Sequence, residues 1–84
     1  MAASKKEIEK CREILHKITD LVPRHYVEAV TERMQSKGWQ VPKNEHIQQV
    51  RRGNVANLQV MICLQEITRQ HWEDRGLKLQ EGLS

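Results

Sequence analysis

The chain has two cysteines and four histidines, with no CxxC pair and no HExxH arrangement among them, so a zinc site is not expected. No apolar run approaches the roughly 18 residues that a bilayer span requires. No basic-then-apolar leader opens the sequence, which makes the cytoplasm the expected location. Internal repeats and low-complexity tracts are missing as well. No nucleophile with its base, no evident pair of carboxylates and no metal cluster can be picked out, so an enzyme is not expected and no cofactor is implied. Cys11 and Cys63 both lie among apolar neighbours at helical spacing, which favours buried small hydrophobes over a disulfide or a metal site.

What is present fits one small domain spanning residues 1–84. A chain of that length buries only about 60 to 65 per cent of its unfolded surface. With 38% hydrophobic and 30% charged residues, it is foldable but short of apolar material, which keeps a homodimer in play. The net charge of +3 is unevenly spread: residues 1–22 carry +1, residues 23–53 carry +3 and residues 54–84 carry −1. Grouping of cations in the middle third suits phosphate contacts, since each one releases counterions even from a weakly charged protein.

The periodicity predicts an all-α domain of four helices. Ser4 and Glu7 form a capping box, after which Ile8, Cys11, Leu15, Ile18 and Val22 mark one stripe, widened by Ile14 and Leu21. Pro23 places the stop near Leu21 or Val22 and offers the start of a second helix to Ser36, burying Val27, Val30 and Met34 and closed by Gly38. Trp39 and Val41 tie the following connection to the core. Asn44 is the expected cap of a short third helix over 45–52, and Asn57 the cap of a fourth. The fourth has Val60, Cys63, Leu64, Ile67 and His71 on its stripe, Met61 and Trp72 toward one edge, and Leu58 and Ile62 off it. A tail over 76–84, with two glycines and no sustained period, is expected to fray.

The third helix carries the candidate site. Ile47 and Val50 anchor it, Gln48, Gln49 and Arg52 point away from the core, His46 and Arg51 flank it, and Gly53 closes it. Such a polar face fits the major groove of DNA, where glutamine can read a base edge and Lys43, His46, Arg51, Arg52 and Asn54 can meet phosphates or bases. Each of these residues also suits an ordinary solvated helix: glutamine and arginine favour helices, and paired arginines suit the C-terminal dipole. Glu45 lies on the same face as Arg52 and opposes phosphate.

The order Tyr26-Val27-Glu28-Ala29-Val30, then Ile47-Gln48-Gln49-Val50-Arg51-Arg52-Gly53-Asn54, then Asn57-Leu58 and an apolar helix resembles small bacterial helix-turn-helix proteins of the repressor-like kind. The resemblance spans roughly Pro23 to Ile67, with the helix-turn-helix region at about 23–53. It implies a small four-helix helix-turn-helix fold, double-stranded DNA as the partner and a part in transcription regulation. It also carries base-edge contact onto Gln48, Gln49 and Arg52, and matches Ala29 to the usual small residue of the positioning helix. The connection after Gly38 is longer than the family's turn and holds Trp39 and Pro42. The competing expectation is a small helical protein–protein interaction module, whose working surface is the apolar flank at Leu58 and Ile62 instead of the polar face around Arg52.

Overall fold

Ser4 caps the first helix, its hydroxyl accepting the Glu7 N–H at 3.1 Å and its carbonyl the Ile8 N–H at 3.0 Å. In the computed structural model residues 4–76 are described, and they form four helices: α1 Lys5–Ile18, α2 Tyr26–Ser36, α3 Asn44–Arg52 and α4 Leu58–Asp74. No strand occurs among the described residues. The expected tail falls outside them, apart from Gly76.

The core forms where α4 meets the other three helices, α1 and α2 most extensively. Val60, Met61, Cys63, Leu64 and Ile67 of α4 close on Cys11, Ile14 and Ile18 of α1, Val30 and Met34 of α2, and Ile47 and Val50 of α3. Thr68 is buried with them, and its hydroxyl is satisfied by the Leu64 carbonyl at 2.7 Å. Both cysteines are free and buried, as their apolar neighbours suggested. Trp39 and Val41 pack against the core and hold down the 37–43 connection.

Tertiary contacts adjust several of the expected boundaries. Helix α1 ends at Ile18, short of Leu21; Pro23 has no N–H to offer the Thr19 carbonyl, and the carbonyls of Thr19 and Leu21 are taken by other elements. The Arg51 guanidinium donates to the Thr19 carbonyl at 2.6 Å and to its hydroxyl at 3.4 Å, and the Trp72 indole donates to the Leu21 carbonyl at 2.8 Å. With 19–25 held as a connection, α2 starts at Tyr26 instead of Pro23. Helix α3 begins one residue early: Lys43 takes the cap position, its carbonyl accepting from Ile47 N–H at 3.2 Å, and Asn44 lies inside the helix. The buried line of α1 is Cys11, Ile14 and Ile18, so Ile14 is central, while Leu15 turns toward Gly53. The Glu7 carboxylate serves a different helix from the one expected, accepting the Leu58 N–H at 2.9 Å at the start of α4, where an anion also suits the dipole. Asn57 caps α4 as its sequence position indicated, accepting from Val60 N–H at 3.3 Å.

Helices α2 and α3 end by the same device. Gly38 and Gly53 take left-handed backbone at φ +73° and +85°. At the first, Trp39 N–H reaches back to the Met34 carbonyl; at the second, Asn54 N–H reaches back to the Gln49 carbonyl, each at 3.0 Å. This is the Schellman closure, in which the residue after the glycine comes to lie beside the residue five positions earlier.

Candidate nucleic-acid interface

Two apolar residues three apart, Ile47 and Val50, are fully buried and set the roll of α3 about its axis. Two polar ties on its flanks then fix its position. In the first turn, His46 Nε2 lies 3.1 Å from Asn57 Nδ2. The capping bond to Val60 N–H engages Asn57 Oδ1, which leaves its amide nitrogen facing His46 Nε2. In the last turn, Arg51 reaches the end of α1 at Thr19, where a cation also suits the C-terminal dipole. The helix is thereby tied to the start of α4 on one side and to the end of α1 on the other.

With those flanks turned inward, the remaining positions face out. Arg52 and Asn54 are exposed, Gln48 and Gln49 are half-buried, and Lys43 is exposed at the helix start. Lys43, His46 and Gln49 line one shallow depression together with Pro42 and Glu45. Gln49 and Asn54 are joined, Asn54 Nδ2 donating to Gln49 Oε1 at 2.7 Å. Of the seven residues singled out from the sequence, the structure thus groups Lys43, Gln48, Gln49, Arg52 and Asn54 on and beside an open face. It engages Arg51 and the Nε2 edge of His46 inside the fold.

Two of the cations in the middle third are directed elsewhere. Arg33 and Lys37 pair with Glu66 of α4 at 3.9 and 3.2 Å, and the Lys37 ammonium lies 5.2 Å from the centre of the Trp39 ring. The charge of the α3 face therefore comes from Lys43 and Arg52, opposed by Glu45. Thr19, Asn57 and Glu7 were not legible as parts of this arrangement, since their partners lie 11 to 51 positions away in sequence.

Two further concavities lie away from this face. One of about 970 Å³ runs between the 20–25 connection, α2 and the last turns of α4, and its walls mix Arg24 and Arg33 with Asp20 and Glu32, so neither sign of charge prevails. A second of about 350 Å³ lies between α1 and residues 53–56, lined by Ile8, Leu15, Val55 and Met61, with Arg12 as its one charged wall. Among the described residues no group of three or more histidine, cysteine or acidic side chains is placed to hold a metal ion, and no helix is long and apolar enough to cross a membrane.

Fold and site together define a small all-α domain that presents one short polar helix. Comparison of the chain with protein-family models, curated proteins and solved structures gives no match.

Proposed function

We propose that the protein binds double-stranded DNA, with α3 in the major groove and α2 as the positioning helix of a helix-turn-helix, in the manner of a transcription regulator. The observation that carries this is the double tether of α3. His46 and Arg51 lock the helix to α4 and α1, so that the backbone carrying the exposed Arg52 and the half-buried Gln48 and Gln49 has little freedom to lose on binding. Lys43 at one end and Arg52 at the other, both exposed, would meet phosphates, while the glutamines would reach base edges. Arg51 acts from behind, keeping the helix in place.

Fluorescence anisotropy with a mixed-sequence duplex at low salt tests this. The Lys43→Ala, Arg52→Ala double variant should bind more weakly than the parent, and its salt dependence should be shallower by about one to two phosphate contacts. Arg51→Ala should instead lower the unfolding free energy, by about 1 to 2 kcal/mol for its bonds to Thr19, while the folded fraction binds as the parent does. Unchanged binding in the double variant would remove this face from the site.

A homodimer belongs to the same proposal, because helix-turn-helix dimers occupy half-sites about one DNA turn apart. Leu58 packs against the core of its own chain and Ile62 is half-buried, so we place the association on DNA and not in the free protein. A small helical interaction module is the second reading. Val55 favours it, being 40% exposed beside the apolar groove at Ile8 and Leu15. Tight duplex binding that depends on Arg52 separates the two.

A further inference from the structure

We infer that Asn54 is a positioning residue that fixes which end of Gln49 faces the DNA, and that the fixed end favours guanine over cytosine. The inference rests on the DNA-binding reading of α3 and adds to it the base that the helix reads. Both nitrogen donors of Asn54 go to one residue: its backbone N–H to the Gln49 carbonyl at 3.0 Å and its side-chain Nδ2 to Gln49 Oε1 at 2.7 Å. The closure at Gly53 enforces this neighbourhood, since it sets the residue after the glycine beside the residue five positions before it.

The matching closure of α2 shows what usually fills that place. There the two residues are Trp39 and Met34, an apolar pair that packs into the core. At the end of α3 the corresponding pair is polar, and it lies on the open face where an apolar contact would have served the helix end equally well.

The chemistry of the amide then determines the preference. With Oε1 accepting from Asn54, the uncommitted end of Gln49 is Nε2, which only donates. In the major groove guanine offers two acceptors, O6 and N7, whereas cytosine offers only its N4 donor. Adenine N7 and thymine O4 also accept from such a donor, and Oε1 keeps a second lone pair, so the discrimination is against cytosine. A donor-only end therefore matches guanine and rejects cytosine.

Two measurements test the pair and its consequence separately. The first uses the free protein: side-chain ¹⁵N relaxation should show the Gln49 amide ordered in the parent and mobile in Asn54→Ala. Equal mobility in both would overturn the pairing without any DNA present. The second is selection from randomised duplexes, scored as base ratios within each variant so that any uniform change in affinity cancels. The parent should enrich guanine over cytosine at one position by roughly tenfold, within the range that base-edge bonds supply. Asn54→Ala should lose that preference. Asn54→Asp should invert it, because a carboxylate accepts from Nε2 and turns Oε1 toward the groove, favouring the donors of cytosine or adenine. An unaltered guanine preference in both variants would refute the role of Asn54. Absence of duplex binding by the parent at low salt would refute the DNA-binding reading and this one with it.

Discussion

Cys63 is the residue whose acid–base chemistry folding changes most. Burial withholds solvent from its thiolate, Glu66 adds repulsion, and Lys37 and Arg33 offset part of this, so the thiol is raised from the usual 9.0 to about 11. Cys11 is raised as well, by burial first and then by Glu7, with the Asn57 backbone N–H working the other way. For a group whose folded value lies above its unfolded one, the associated stability is complete below the unfolded value and is lost as pH rises toward the folded one. Urea unfolding should therefore show a loss between about pH 9 and 11, on the order of 2 kcal/mol for Cys63, that is smaller in Cys63→Ala. An identical alkaline loss in the variant would assign it to other groups. At neutral pH neither thiol should react readily with maleimide until the protein is denatured. Burial of these cysteines was legible from their apolar neighbours. The tie from Arg51 to Thr19 was not, because the same arginine at a helix C-terminus equally suits a solvated end.

At the scale of the element, the ends of the helices matter more than their middles. Both Gly38 and Gly53 need left-handed backbone, but their surroundings differ: a Cβ at Gly38 would meet nothing within 4 Å, whereas one at Gly53 would lie 3.1 Å from Leu15 Cδ2. Alanine at either position should cost about 1 to 2 kcal/mol for the backbone alone. Gly53→Ala should cost more than Gly38→Ala, and the excess should shrink when Leu15 is also reduced to alanine. Equal midpoints for the two single variants in chemical denaturation would show that α1 yields freely beside the end of α3. The existence of all four helices and the two glycine stops followed from periodicity and capping. Their limits at 19–26 did not: the Thr19 carbonyl, which Pro23 cannot serve, accepts from Arg51, and the Leu21 carbonyl accepts from Trp72, partners distant in sequence.

For the whole molecule, the governing quantity is how much apolar surface one chain can cover by itself. Among the described residues Val55 is the one large hydrophobic side chain that remains exposed. Leu58, which in sequence seemed spare, is packed against the core, and α4 is surrounded by its three neighbours. Sedimentation equilibrium without DNA, at tens of micromolar where a dimer of micromolar affinity would be well populated, should give a mass near 9.9 kDa. Twice that mass would place a dimer face on the free protein. Addition of duplex carrying two half-sites about one turn apart should bring two chains together.

The sequence by itself determined the helical class, the caps at Ser4 and Asn57, the glycine stops, the burial of both cysteines and the exposure of Arg52. All of these depend on spacings of a few residues, over which helix geometry is fixed. Only the tertiary structure decided that Glu7 caps α4, that His46 and Arg51 face inward as tethers, and that Arg33 and Lys37 are drawn to Glu66. Those outcomes depend on which helix end or charge comes within about 3 to 4 Å after packing, the range over which hydrogen bonds and close ion pairs act. No local pattern encodes such a distance, because it is set by the way the buried faces of four helices fit around α4.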